Sequence, residues 1–181
     1  MLYRCLVPDQ MFDRYQEITP AYLTSLGIRA LLVDIDNTLA PYEQADADDT
    51  HRAWVADMAA HGIAVALISN NNRARVERFN QTLGLPAYWK SGKPRRRCLD
   101  LAMKQLGVTP KETAILGDQL LTDAYAGKHI GLTTLIVPPI KDKRTLFFRF
   151  KRLLERPFLR RYRKLHQKDR CSAPPAADPS A

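Results

Sequence analysis

Apolar residues along the chain gather into short runs separated by longer amphipathic stretches. Leu31-Leu32-Val33, bounded by Arg29 and Asp34, reads as a strand buried on both faces. So do Ile63-Ala64-Val65-Ala66-Leu67-Ile68, Thr113-Ala114-Ile115-Leu116 and Thr133-Thr134-Leu135-Ile136-Val137. Helical periodicity fills the intervals, over about Asp49–His61, Arg73–Leu83, Arg96–Leu106 and Leu120–Lys128. Gly107 and Gly131 fall just past two of these helices, where a left-handed C-terminal residue is wanted. Thr109-Pro110-Lys111-Glu112 carries helix-start chemistry and leads into the strand at Thr113. A weaker extra strand is expected near Ala87–Trp89. Strands alternating with helices predict an α/β fold, a Rossmann-like parallel sheet flanked by helices on both faces. Such sheets carry their chemistry at the carboxyl ends of strands, and Asp34, Ser69 and Asp118 each stand where a predicted strand ends.

The length, 181 residues, suits one domain with a full core and a modest appendage. Residues 1–140 are expected to form that domain, 141–168 a basic amphipathic helical extension, and 169–181 a disordered tail containing Pro174, Pro175 and Pro179. Charge supports the division. The net charge is +9, yet Lys141–Arg170 alone holds 13 of the 28 basic residues and 3 of the 19 acidic ones. The rest of the chain, with 15 basic and 16 acidic residues, is close to neutral, so any attraction to a polyanion or membrane belongs to that segment. No stretch approaches the roughly 18 consecutive apolar residues of a membrane span. The residues after Met1 lack the apolar core of a secretory signal. Three cysteines (Cys5, Cys98 and Cys171), odd in number and without metal-ligand spacing, fit a reducing compartment. A cytoplasmic protein is expected.

The candidate chemistry is acidic. Asp34-Ile35-Asp36-Asn37-Thr38-Leu39 follows the first strand directly, and Gly117-Asp118-Gln119-Leu120-Leu121-Thr122-Asp123 follows another. Two carboxylates 4 Å apart repel by roughly 4 kcal/mol at an effective dielectric near 20. Gathering four of them therefore requires a cation or shared protons. Oxygen ligands without His or Cys favour Mg²⁺ over zinc. Between the acidic pairs come Ser69-Asn70, at a strand end, and Lys93-Pro94. A hydroxyl and a loop N–H can hold phosphoryl oxygens, and a lysine supplies the point charge that phosphoryl transfer needs. Each element alone is commonplace, since Asp at a strand end is usually a cap and a lysine is usually solvated. The ordered set is specific. His51, His61, His129 and His166 show no metal spacing, and Tyr88-Trp89 reads as core or rim.

This set resembles the four motifs of haloacid-dehalogenase-superfamily phosphatases. From about Leu6 to Arg156 the chain is similar to the YqeG-type phosphatases of subfamily IIIA, which are related to phosphatidylglycerophosphate phosphatase. Ile18-Thr19-Pro20, Gly27-Ile28 and the run Arg149–Arg156 add to the likeness, with Lys151 standing where the family's Arg-x-Asn-Arg style would have Asn. The resemblance implies an Mg²⁺-dependent phosphatase in which Asp34 is the nucleophile that becomes an aspartyl-phosphate and Asp36 is the general acid and base. It implies Ser69, the Asn70 N–H and Lys93 as binders of the transferring group, with Lys93 also neutralising charge on Asp34. The metal ligands would be Asp34, the main-chain carbonyl of Asp36, and Asp118, with Asp123 acting through water or from behind. Asn37 and Thr38 would shape the loop.

The gaps between motifs limit what covers the site. About ten residues separate Thr38 from the next helix and roughly two dozen separate Ser69 from Lys93, too few for an inserted cap domain. A capless, open site suits a substrate that is large or presented on a surface. In the extension, Leu146, Phe150 and Leu153 recur at helical spacing, as do Phe158, Tyr162 and Leu165, with Pro157 placed to start a helix. Such helices either lie on the anionic inner face of a membrane or pack their apolar stripe on the sheet. Phosphatidylglycerophosphate is the leading substrate by resemblance. Soluble phosphosugars, nucleotides or phosphoproteins are the alternative, and a non-catalytic module binding anionic surfaces is the reading from a different class. No nucleic-acid signature is present.

Overall fold

A computed structural model of the chain describes residues 6–141 and 157–162. Its strands are β1 (Gln10–Met11), β2 (Ala30–Val33), β3 (Ala64–Ile68), β4 (Ala87–Tyr88), β5 (Thr113–Gly117) and β6 (Thr133–Ile136). Its α-helices are α1 (Pro20–Ser25), α2 (Asp49–Ala60), α3 (Arg73–Asn80), α4 (Arg97–Leu106) and α5 (Tyr125–Ile130). The six strands form one sheet in the order β1-β6-β5-β2-β3-β4, every pair parallel. This is the Rossmann-like α/β architecture that the alternation of apolar runs and helical stretches predicts.

Side chains along the strands alternate between two layers, as the period of two requires. Leu31, Val33, Val65, Leu67, Ala114 and Leu116 pack against Trp54 and Met58 of α2 and Val76 and Phe79 of α3. Leu32, Ala66, Ile68 and Ile115 pack on the other side against Leu99, Ala102 and Met103 of α4 and Ala126 of α5. The chain leaving β2 thus goes to one face and the chain leaving β5 to the other, which opens a crevice between the carboxyl ends of these neighbouring strands. Register makes those ends level, since Val33 pairs with both Leu67 and Leu116. Asp34, Ser69 and Asp118 therefore emerge within about a residue of one another along the strand direction.

Four elements differ from the sequence pattern, the first being helix α1 (Pro20–Ser25), a six-residue helix capped by Thr19 that no expected helical stretch covered. The stretch expected to be one helix from Leu120 is a wider, π-type turn over Leu120–Ala124 followed by α5. Helix α3 stops at Asn80 rather than Leu83 because the Asn80 side chain donates to the Leu85 carbonyl (2.7 Å) and accepts from the Leu85 N–H (3.0 Å). Strand β1, too short to leave an apolar run, adds Gln10–Met11 at the sheet edge beside β6.

Most of the expected basic extension lies outside the described residues, as do Arg149–Arg156 with Lys151, and the tail 169–181. Residues 157–162, the described part of the extension, are helical. Phe158 and Leu159 pack against Leu120, Ala124 and Ile136, and the Tyr162 hydroxyl accepts the Met11 N–H at 2.9 Å. This piece of the extension is bound to the domain and covers part of an otherwise open strand edge. No helix among the described residues is long and apolar enough to cross a membrane.

Helix α5 rides directly on the sheet. A Cβ on Gly127 would come 2.5 Å from Ile115 Cγ2 and 2.7 Å from Thr134 Cγ2, both on strands in the middle of the layer. Gly127→Ala should therefore destabilise the fold by about 1–3 kcal/mol, read as a lowered denaturant midpoint with an unchanged slope.

Candidate active site

The site begins with the turn after β2. Asp34 still belongs to the sheet, its N–H donating to the Leu116 carbonyl at 2.9 Å. The chain then folds back so that the N–H groups of Thr38, Leu39 and Ala40 all donate to the Ile35 carbonyl at 3.0–3.2 Å. Asn37 takes a left-handed conformation (φ 66°), which Asn tolerates better than most residues, and its N–H reaches the Ala40 carbonyl at 2.8 Å. Ile35 is fully buried in the core between the two acids, so Asp34 and Asp36 are splayed around the turn rather than stacked on one strand face. His51 holds the far side of this loop. It is buried, donates through Nε2 to the Leu39 carbonyl at 2.9 Å, and is fixed through Nδ1 by Asp48 at 2.5 Å. The residue is structural, in keeping with its lack of metal spacing.

Lys93 is delivered from the opposite wall. Asn70 accepts from the Lys93 N–H and from the Ser91 hydroxyl, both at 2.8 Å, and donates through Nδ2 to the Lys93 carbonyl at 3.1 Å. Its side chain is thus spent on shaping the loop, leaving its backbone rather than its amide to face a ligand. With that loop pinned, the buried Lys93 ammonium lies 2.7 Å from Asp34 Oδ1 and 2.7 Å from Asp123 Oδ1. Ser69 is held by hydrogen bonds from its N–H to Tyr88 and from Ser91 to its carbonyl. Its hydroxyl oxygen accepts the Asn71 N–H at 3.1 Å, so its own proton remains available to donate.

Asp118 and Asp123 complete the acidic group from the end of β5. The π-type turn brings Asp123 back over Gly117, and a Cβ on that glycine would lie 2.2 Å from Asp123 Cγ. The absence of a side chain at 117 is therefore what admits Asp123 to the site. One carboxylate oxygen from each of Asp34, Asp118 and Asp123 falls within 4.8 Å of the others. A pocket of about 220 Å³ opens over Asp34, Asp36, Ser69, Asn70 and Lys93. A larger hollow of about 510 Å³ lies behind the same loop, against Thr38, His51 and Pro138, but contains none of the four acids. Among the described residues no helix or strand interrupts the chain between Val33 and Asp49, so that stretch builds no cap over the pocket.

Of the residues nominated from the sequence, Asp34, Asp36, Ser69, Asn70, Lys93 and Asp123 line this pocket, Asp118 stands within reach of Asp34 and Asp123, and Thr38 faces the hollow behind the loop. Three further residues at the site were not nominated. Asn71 donates to Asp36 Oδ2 at 2.9 Å, and Arg75 donates through Nε to Asp36 Oδ1 at 3.1 Å. Tyr42 lines the pocket as a neutral phenol, its pKa pushed up to about 12 by burial and by the charges of Asp36, Asp34 and Asp118. Asn71 and Tyr42 carry no distinctive spacing. Arg75 did leave a signal. It stands four residues before the fully buried Phe79, hence on the inner stripe of α3, where a solvated arginine does not belong.

Four carboxylates face one lysine and one arginine here, a balance of −2 inside a largely buried volume. Burial raises the Asp34 pKa from 3.8 to about 7, against the pull of Lys93 and aided by Asp123 and Asp36. Burial would lower that of Lys93, but Asp123 and Asp34 together outweigh it and hold the ammonium firmly charged. Three oxygen-donor carboxylates in mutual reach, with positive charge in deficit, fit a hard divalent cation. Between 3.8 and about 7 the native Asp34 binds more proton than the unfolded one, so its contribution to stability falls as pH rises through that window. The Tm of the metal-free wild type, measured relative to that of Asp34→Asn, should accordingly fall from pH 4 to pH 7. Millimolar Mg²⁺ should reverse the fall in the wild type and not in Asp118→Asn.

Sheet order, the crevice between β2 and β5, and the acid–lysine cluster together define a Rossmann-like domain with an acidic, lysine-bearing site at its strand ends. The chain belongs to the haloacid dehalogenase-like hydrolase family, whose sequence profile matches residues 23–131. It is 33% identical over 159 residues to the probable phosphatase YqeG of Bacillus subtilis (strain 168), across 88% of this chain and 92% of that protein. Its fold is similar to that of a hypothetical protein from Xanthomonas campestris (21% identity, 68% of this chain and 72% of that one, TM-score 0.51). It is also similar to 3-deoxy-D-manno-octulosonate 8-phosphate phosphatase from Yersinia pestis (17% identity, 80% and 88%, TM-score 0.50). At these identities the last two likenesses are of fold alone.

Proposed function

We propose that this protein is a phosphomonoester hydrolase with Asp34 as its nucleophile. The observation that carries the reading is the buried Lys93 ammonium, 2.7 Å from both Asp34 and Asp123, with Asp118 in reach of both acids. A carboxylate so placed meets an electrophile that is itself anionic, and a phosphoryl group is the electrophile for which a fixed lysine and an acid-bound cation compensate. Asp34, the Asp36 main-chain carbonyl and Asp118, supported by Asp123, would hold Mg²⁺, which supplies positive charge against the phosphoryl oxygens.

The chain's own residues then divide the work. Ser69 and the Asn70 N–H orient the phosphoryl group, and Lys93 offsets charge on it and on Asp34. The Asp34 carboxylate forms a bond to phosphorus as the bond to the leaving oxygen breaks, and Asp36 gives its proton to that oxygen, releasing an alcohol. Water next attacks the aspartyl-phosphate, its proton passes to Asp36, and phosphate leaves with Asp34 regenerated.

The proposed substrate is phosphatidylglycerophosphate, giving phosphatidylglycerol. A pocket left uncapped by residues 34–48 supports a lipid head group, as do the exposed Arg73, Lys90 and Arg95, which stand within three positions of the pocket-lining Asn71 or Lys93 in the chain, and the basic extension 141–168, which would rest on the inner face of an anionic membrane. The docking of Phe158 and Tyr162 on the domain favours the second reading, a soluble phosphomonoester, because it takes part of that extension's apolar stripe away from a membrane.

Phosphate release from micellar phosphatidylglycerophosphate and from a panel of soluble esters, with and without Mg²⁺, separates the two. Release from soluble esters alone would remove the lipid. Asp34→Asn should lose turnover by roughly 10⁴-fold or more while keeping the wild-type circular dichroism spectrum. Retained activity in that variant would end the assignment of the nucleophile.

A further inference from the structure

We propose that Arg75 is a positioning residue for Asp36, fixing the proton-transferring carboxyl at the edge of the pocket. The inference rests on the acid–base role proposed above for Asp36.

An aspartate side chain has two rotatable bonds, and here each of its oxygens is engaged. Oδ1 accepts from Arg75 Nε at 3.1 Å, with Nη2 at the same distance in ion-pair contact but without hydrogen-bond geometry, and Oδ2 accepts from Asn71 Nδ2 at 2.9 Å. Contacts on both oxygens set both rotations. The arginine is itself immobilised. Its Nη1 donates to the Ala45 carbonyl at 3.0 Å, and its guanidinium carbon stands 5.2 Å from the centre of the Phe79 ring. Arg75 and Asp36 are both nearly enclosed, with side chains 12% and 8% exposed, so this pair is not one of the solvated ion pairs whose contribution is small.

Local helix energetics give no reason for the residue. Arg75 lies in the first turn of α3, where the helix dipole disfavours a cation, and the neighbouring ion pairs of α3, Arg73 with Glu77 and Arg78 with Asp46, are exposed. What Arg75 gains is Asp36, 39 positions away. A planar guanidinium suits this duty better than an ammonium, because its fork fixes direction as well as charge. When the phosphorus–oxygen bond breaks and the Asp36 proton passes to the departing oxygen, the carboxylate left behind is the partner that Arg75 already faces.

The alternative is that Arg75 merely ties the loop carrying Ala45 to α3. Leaving groups of graded acidity distinguish the two, because p-nitrophenolate departs without a proton whereas an alkoxide does not. Single-turnover release of the leaving phenol or alcohol, the step that precedes aspartyl-phosphate hydrolysis, would be measured from p-nitrophenyl phosphate, phenyl phosphate and glycerol phosphate at fixed pH and saturating Mg²⁺. Asp36→Asn should stay within a few fold of wild type on p-nitrophenyl phosphate and fall by about 10²-fold or more on glycerol phosphate. Arg75→Met should follow the same gradation, losing about ten- to a hundredfold on glycerol phosphate and under about threefold on p-nitrophenyl phosphate, with KM little changed. Arg75→Lys should lie between Arg75→Met and wild type. An equal loss on all three esters in Arg75→Met, with the gradation present in Asp36→Asn, would overturn the positioning role and leave Asp36 its own. Absence of the gradation in Asp36→Asn would remove the acid role and this inference with it. Should Arg75→Met fail to fold by circular dichroism, Arg75→Lys carries the same comparison.

Discussion

Carboxylates crowded at one end of a sheet separate unless positive charge stands among them, and Lys93 is the charge on which this arrangement depends. At an effective dielectric near 20, each pair of acids 4 Å apart costs roughly 4 kcal/mol, while an ammonium in contact with two of them returns a comparable amount. The ammonium reaches Asp34 and Asp123 because the loop behind it is tied by Asn70 to both Ser91 and the Lys93 backbone. The compensation is incomplete. A deficit of two positive charges persists among the ionised groups, and burial, aided by Asp123 and Asp36, raises the Asp34 pKa to about 7. A site built this way is poised for a cation and an anion together.

The fold supplies the convergence rather than the chemistry. Because β2 lies between β3 and β5, with the three strands in level register, Asp34 has Ser69 on one side and Asp118 on the other. Chains leaving β2 and β5 go to opposite faces, which keeps the crevice between them open. Two glycines make the geometry possible at atomic range: Gly127 lets α5 sit on the sheet, and Gly117 lets Asp123 fold over the end of β5. The wider turn at Leu120–Ala124 belongs to the same device, since it carries Asp123 back to the site before a regular helix begins. Turns of this type often mark functional positions for that reason.

Much of this was legible in the chain. Short apolar runs alternating with helical stretches specify a parallel sheet, because each run is buried on both faces and each helix has one apolar stripe to cover it. Asp34, Asp36, Ser69, Lys93, Asp118 and Asp123 were legible as well, since each follows or lies near a strand end and the set has the right chemical types in the right order. Strand β1 was not, because two residues at a sheet edge need no hydrophobic pattern. The early end of α3 was not either, because it depends on one Asn80 side chain meeting the backbone of Leu85.

The sequence by itself determined which acidic, hydroxyl and lysine residues stand out and which strand ends would carry them, because local hydrophobic period and residue type suffice for both. Tertiary structure alone decided which charges touch. That Lys93 bridges Asp34 and Asp123, that the Asn70 amide serves the loop instead of a ligand, and that Asp36 is gripped by Arg75 and Asn71 are facts about groups 20 to 60 positions apart. Their contact follows from strand order and packing, and no local pattern encodes it. Arg75 marks the boundary between the two kinds of information. Its place on the buried stripe of α3 is written in the spacing to Phe79, whereas its partner is fixed only when β2 and β3 lie side by side.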